Sequence, residues 1–121
     1  MRSARLLIAL LGLGLHLPLS LASGGTPEST LPWPKKNEVL AYHSCGCADA
    51  CWVAEVRQRS SKAVRARLRC DCETLHYWSA AGAREEVIGA TCAAINDQPG
   101  KFELIPRLML EKDRPRPSVA R

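Results

Sequence analysis

The feature that most limits what this chain can become is an alternation of apolar and charged residues within the stretch from Trp52 to Trp78. Even positions read Trp52, Ala54, Val56, then Val64, Ala66, Leu68, Cys70, Cys72. Odd positions read Glu55, Arg57, Arg59, then Arg65, Arg67, Arg69, Asp71, Glu73. Successive side chains of a strand point to opposite faces, so a period of two over this length demands β-structure with one face buried and the other charged. A three-residue loop at Ser60-Ser61-Lys62 sets Arg59 opposite Ala63, Arg57 opposite Arg65, Val56 opposite Ala66, Ala54 opposite Leu68 and Trp52 opposite Cys70. That register keeps apolar against apolar, which a two-residue loop would not, and it brings Glu55 across from Arg67.

Weaker signals flank this hairpin. Glu38 to Cys45 reads as a further short strand, and Cys47-Ala-Asp-Ala-Cys51 as the loop after it. Between Arg84 and Ile95, the residues Ile88, Thr91, Cys92 and Ile95 fall at helical spacing, and Glu85 and Glu86 suit a helix start. The spacing predicts a helix there, in preference to the strand that Val87 and Gly89 would also allow, ended by Asn96 and the turn Asp97-Gln98-Pro99-Gly100. Phe102 to Leu110 alternates again, and Pro106 restricts it to an edge or bulged strand. The fold class expected is α+β, a small disulfide-stapled antiparallel β-sheet with room for one short helix; an all-β small barrel or sandwich is the alternative.

Residues 1–22 have the form of a secretory signal peptide: Arg2 and Arg5, an apolar run from Leu6 to Leu15, then Pro18 and the small residues Ser20 and Ala22 before the cut. The run is shorter than the roughly 20 residues that span a bilayer, and no later stretch approaches that length, so no transmembrane helix is expected in the mature chain. Residues 23–37, rich in Pro, Gly, Ser and Thr, read as a flexible leader, and 111–121, with Arg114-Pro115-Arg116-Pro117, as a disordered tail. One small domain, 38–110, is left, and a chain of 121 residues has no length for a second. Cleavage removes two arginines and no acid, lowering the net charge from +5 to about +3. So mild a charge, on an exported chain with no aromatic between Trp52 and Tyr77, argues against a nucleic-acid partner.

All six cysteines, Cys45, Cys47, Cys51, Cys70, Cys72 and Cys92, lie inside that domain. A core of this size stabilises a fold weakly, and an even cysteine count in an exported chain reads as disulfide bonds in a periplasmic or extracellular protein. A bridge within Cys45-Gly46-Cys47 or Cys70-Asp71-Cys72 would close a strained ring. The preferred pattern therefore joins the first cluster to the later cysteines, with Cys92 tying the C-terminal half to the sheet. Two alternatives use the same residues. His43, Cys45, Cys47, Cys51, Cys70 and Cys72 supply enough soft ligands for a thiolate metal site for zinc or copper, and a Cys45–Cys47 pair would suit a thiol-disulfide oxidoreductase. Structural disulfides take precedence, so no metal and no other cofactor is expected.

Arg57, Arg59, Lys62, Arg65, Arg67 and Arg69 form a basic run without an acid between them. Of these, Arg57, Arg59, Arg65, Arg67 and Arg69 are the candidate binding residues, a strand face able to dock a protein or an acidic envelope component. His43 and His76 have no nucleophile beside them in sequence, and Glu73, Glu85 and Glu86 have no spacing that separates an acid from a base, so no catalytic residue is assigned and the chain is read as not an enzyme. Ser79-Ala80-Ala81-Gly82-Ala83-Arg84, after a long alternating strand, resembles the Ser-Ala-Ser-Gly-Ala-Arg-Tyr stretch of the exported bacterial inhibitors of C-type lysozyme, which are small antiparallel barrels. That resemblance spans six residues, with Glu85 where the pattern has Tyr, and implies that Ser79 enters an enzyme's cleft. The function expected from the residues themselves is a small exported binding or inhibitor domain acting on a macromolecular partner, with lysozyme inhibition, metal binding and thiol redox chemistry as the alternatives.

Overall fold

A computed structural model of the protein describes residues 27–82 and 84–114, with residue 14 standing alone before them. Apart from that one position the expected signal peptide lies outside the described residues, as does the tail after 114. Six strands lie side by side in chain order, each antiparallel to the next: β1 (Ser29–Leu31), β2 (Glu38–Gly46), β3 (Cys51–Gln58), β4 (Val64–Asp71), β5 (Thr74–Ser79) and β6 (Glu86–Thr91). Two helices follow, α1 (Ala93–Asn96) and α2 (Lys101–Asp113). The chain thus forms a small disulfide-stapled antiparallel sheet with helix beside it. Among the described residues β1 and β6 are the edges of one open sheet, and neither a closed barrel nor a second sheet is formed.

The hairpin β3–β4 has the register that parity requires over its core: Trp52 faces Cys70, Ala54 faces Leu68, Glu55 faces Arg67 and Val56 faces Ala66. Toward the turn it departs. Arg57 is opposite Val64, not Arg65, because Arg65 is the extra residue of a β-bulge between the Val56 and Arg57 pairs. The loop is also longer than three residues, since Gln58 N–H donates to Ala63 O and Lys62 N–H donates to Gln58 O, both at 2.9 Å. Lys62 closes it in the left-handed region at φ 64°.

One face of the sheet is the core. Leu40, Tyr42, Trp52, Ala54, Val56, Leu68, Leu75, Tyr77 and Ile88 bury themselves against Ile95 of α1 and Ile105 and Met109 of α2. The Trp52 indole N–H, which burial would otherwise leave unpaired, donates to Asn96 Oδ1 at 2.7 Å. Two expectations reverse here. Residues 86–91 are a strand and not part of a helix: only Ile88 among the side chains described turns inward, while Val87 is 65% exposed, the pattern of an edge strand. Conversely 102–110 is helix and not strand. Of its buried residues, Lys101, Ile105 and Met109 are four apart, the spacing of a helix stripe, and the fourth, Pro106, adjoins Ile105, where its missing N–H leaves a carbonyl on Phe102, itself 46% exposed. The domain also begins and ends beyond 38–110. β1 pairs with β2, Leu31 and Trp33 pack on the core, and α2 continues to Asp113.

The sulfurs are joined as Cys45–Cys51, Cys47–Cys72 and Cys70–Cys92. Cys47–Cys72 agrees with the preferred pattern, and Cys70–Cys92 ties the C-terminal half to the sheet as expected but joins two of the later cysteines instead of drawing on the first cluster. Cys45–Cys51, only six residues apart, lies outside that pattern. It arises because β2 bulges between Ser44 and Gly46 and the chain then turns left-handed: φ is 53°, 51° and 69° at Cys47, Ala48 and Asp49. For non-glycine residues each such φ costs roughly 1–2 kcal/mol, so other contacts must hold the turn. Beneath it lies Lys101 of α2, 8% exposed. Its Nζ donates to Asp49 O at 2.9 Å and to Asp49 Oδ2 at 3.2 Å, and lies 5.5–5.9 Å from the ring centres of Trp52, Tyr42 and Phe102. Tyr42 Oη adds a hydrogen bond to Asp49 Oδ1 at 3.1 Å. Burial of the Asp49 carboxyl is outweighed by donors from Ser44, Lys101 and Tyr42, and its pKa falls below the ordinary carboxylate value.

Candidate functional site

Opposite the core the sheet has no helix over it among the described residues, and alternation decides what it presents. One rank across β1 to β5 reads Thr30, Ala41, Glu55, Arg67, Trp78, and the next, across β2 to β6, reads His43, Val53, Arg69, His76, Val87. Of the five arginines expected to form a basic face, Arg57, Arg67 and Arg69 are on it. Arg59 lies in the turn beyond β3, exposed, and the bulge turns Arg65 toward a cavity beside Lys35.

The three that remain are not bare charges. Arg57 forks onto Glu28, with NH1 and NH2 2.8 and 2.9 Å from its two oxygens, and also reaches Glu55 Oε1 at 2.9 Å. Arg67 donates from Nε and NH2 to Glu55 Oε2 at 3.1 and 2.9 Å, with its guanidinium carbon 5.5 Å from the Trp78 ring centre. Glu55, 8% exposed, is clasped by both; burial alone would raise its pKa, but the hydrogen bonds from Arg57 and Arg67 hold it below the ordinary value. Arg69 donates to Glu85, whose carboxyl is lowered first of all by that bond. Glu28 and Glu85 are the residues that sequence reasoning missed. They lie 29 and 16 positions from their arginines, and only the strand order shows that β1 and the end of the β5–β6 connection reach the same face.

Polar groups elsewhere are equally occupied. His76 has Nε2 2.7 Å from Asp71 Oδ2 and Nδ1 3.3 Å from Glu85 Oε1. The His76 contact, with backbone N–H groups of Thr74 and Glu73, lowers the Asp71 carboxyl to about 2. His43 lies in the second rank of the face, with no nucleophile recorded beside it among the described residues. All six sulfurs are consumed in disulfides, none within a Cys-x-Cys pair, so the redox reading loses its bridge and the metal reading its thiolates in this oxidation state. Ser79 ends β5 on the core side of the sheet, half-buried, and Ala80 to Gly82 continue as exposed connection. Among the described residues no helix is long and apolar enough to cross a membrane.

What the arrangement offers is a charge-paired surface with one tryptophan, Trp78, beside the Arg67 guanidinium. Comparison with protein-family models, with curated proteins and with solved structures finds no match in any of the three.

Proposed function

We propose that this is a binding domain that docks a protein partner through the uncovered sheet face, without chemistry of its own. The observation that carries the reading is the state of the arginines. Arg57, Arg67 and Arg69 are held in fixed positions by Glu28, Glu55 and Glu85, and Arg67 lies over Trp78. Arginine and tryptophan supply most binding energy at protein interfaces, and side chains already ordered lose little entropy on docking. Carboxylates interleaved with the arginines favour a partner of mixed charge over a purely acidic one, a narrower class than the basic run suggested. Three disulfides in so small a domain support an oxidising compartment, periplasmic or extracellular.

The test places a photo-crosslinking side chain at Val53, in the middle of the face, and separately at Arg107, exposed on α2. In the exporting host we expect a discrete adduct from position 53 and none from 107. Arg69→Ala should weaken it without unfolding the domain, since the partner it abandons, Glu85, is itself 31% exposed. Intact mass confirms that the three disulfides persist. Adducts from position 107 alone, or an adduct at 53 indifferent to Arg69→Ala, would sink the reading.

A further inference from the structure

The bulge that removes Arg65 from the sheet face puts it at the mouth of a cavity on the core side. The cavity, of about 280 Å³, lies between the last turn of α2, the segment 33–38 and the end of β5. Trp33, Lys35, Arg65, Tyr77, Ser79 and Arg114 are the lining residues that matter chemically.

Tyr77 is the telling one. It is 6% exposed, yet among the described residues its hydroxyl has no hydrogen-bond partner, although the other buried tyrosine, Tyr42, donates to Asp49. The ring is buried, but no buried side-chain polar atom among the described residues lacks a partner, so the hydroxyl itself opens into the cavity, where it can donate to a ligand; the ring also borders a second groove, of about 720 Å³, that runs on between α2 and the β5–β6 connection. Tyr77, Ser79, Lys112 and Arg114 line both.

The charges narrow the ligand. Lys35 is tied to Asp113, and Lys112 lies 3.7 Å from Glu86, so both are largely spent. Arg65 and Arg114 have no carboxylate within salt-bridge distance among the described residues. Arg65 lies near Lys35, whose pKa is nonetheless raised, first of all by its hydrogen bond to Asp113. Glu38 and Asp113 in its walls, and Glu86 in those of the adjoining groove, would repel a dianion such as a phosphate monoester. A singly charged anion with two acceptor oxygens matches what is present: a guanidinium fork, a phenolic O–H and a serine hydroxyl.

We infer that this cavity binds a carboxylate group, with Arg65 as its cation and the Tyr77 hydroxyl as its second donor, the rest of the ligand leaving along the adjoining groove. The cavity is slightly smaller than the roughly 300 Å³ at which clefts accept whole small molecules, so one end of a ligand fits. The site lies on the core side of the sheet and is independent of the face proposed above for docking.

Two sources offer this chemistry, the C-terminus of a peptide and a free organic acid. The test is an amide-shift titration of the full mature chain with N-acetylalanine, N-acetylalaninamide and propionate. N-acetylalanine should move the amides of Tyr77, Ser79 and Ala80 saturably at millimolar concentration, and the amide analogue should not. Arg65→Gln should weaken binding about tenfold, the loss of one charge-assisted hydrogen bond, and Tyr77→Phe by a smaller factor. Tighter binding of N-acetylalanine than of propionate assigns the site to peptide termini, and equal binding assigns it to small acids. Equal response to the carboxylate and the amide, no saturable shift with either acid, or binding unchanged in both variants would overturn the inference. Because Arg65 is exposed and Phe keeps the ring of Tyr77, both variants retain the core, and their disulfide mass and spectra verify it.

Discussion

The two ends of this sheet are built on different principles. At the end where β2 passes into β3, three disulfides, a left-handed turn and the caged ammonium of Lys101 meet within a few residues. At the other, where β3 turns into β4, there is no covalent tie. A lysine closes the turn, a bulge throws Arg65 aside, and beyond Met109 the last turn of α2 is joined to the segment before β2 by the exposed pair of Lys35 and Asp113, a kind of contact that contributes little. At the first end the side chains of Tyr42, Ser44, Asp49, Asn96 and Lys101 are all hydrogen-bonded. The second leaves a phenol and two guanidinium groups without partners among the described residues, with a cavity beside them. Rigidity and unused donors are thus separated along the strands, and recognition chemistry is available where the staples are not.

The sharpest way to break this contrast is to remove the staple that ties the helical segment to the sheet. Replacing Cys70 and Cys92 together by alanine opens a loop of 22 residues, and urea unfolding should record a loss of roughly 3 kcal/mol, with further loss from the buried sulfurs. A loss below about 1 kcal/mol would show that the closed end does not depend on its covalent tie.

Lys101→Met asks a smaller question at the same end. It keeps the stem among the rings of Trp52, Tyr42 and Phe102 and deletes only the charge that bonds Asp49. The left-handed turn then loses its main donor, and about 2 kcal/mol should go with it, read from the same urea midpoints. An unchanged midpoint would mean that the sulfurs alone hold the turn.

At the open end the expected change is slight and of opposite sign. Lys62→Gly relieves a left-handed φ of 64° in a residue with no recorded side-chain partner, and should stabilise by roughly 0.5–1 kcal/mol. Destabilisation would show that the Lys62 side chain has a role there that its exposure hides.

How much of this was legible beforehand depends on which force decided each part. Parity read the hairpin correctly wherever both strands bury one face, since a slip of one residue would turn Leu68 and Ala54 to water. It failed at Arg65, because a bulge leaves no trace in hydrophobic pattern where the facing residues are polar on both strands. Phe102 to Leu110 misleads for another reason: Phe102, Leu104, Leu108 and Leu110 fit alternation, while Leu104, Ile105, Leu108 and Met109 fit helical spacing, and Pro106 reads as a strand edge although a helix can absorb it where the orphaned carbonyl belongs to an exposed residue. Residues 86–91 were decided by pairing with β5, a tertiary contact that outweighs the short apolar period at Ile88 and Thr91. Of the candidate face, the arginines were visible and Glu55 was placed opposite Arg67, but Glu28 and Glu85 come from edges that no local spacing connects. The cavity was not legible at all. It depends on where α2 ends relative to β5, and α2 had been read as a strand.

Numbered by their order along the chain, the cysteines join first to third, second to fifth and fourth to sixth. No bridge links two that are neighbours in that order. Oxidation that paired each thiol with the next to emerge would make three wrong bonds and no right one. The native set becomes available only when strand pairing brings Cys45 to Cys51 and Cys47 to Cys72 and the chain has run past β6 to Cys92. Assembly of this molecule therefore runs from sheet to sulfur, and a cell that makes it must either delay oxidation until the meander has formed or reshuffle what it has oxidised too soon.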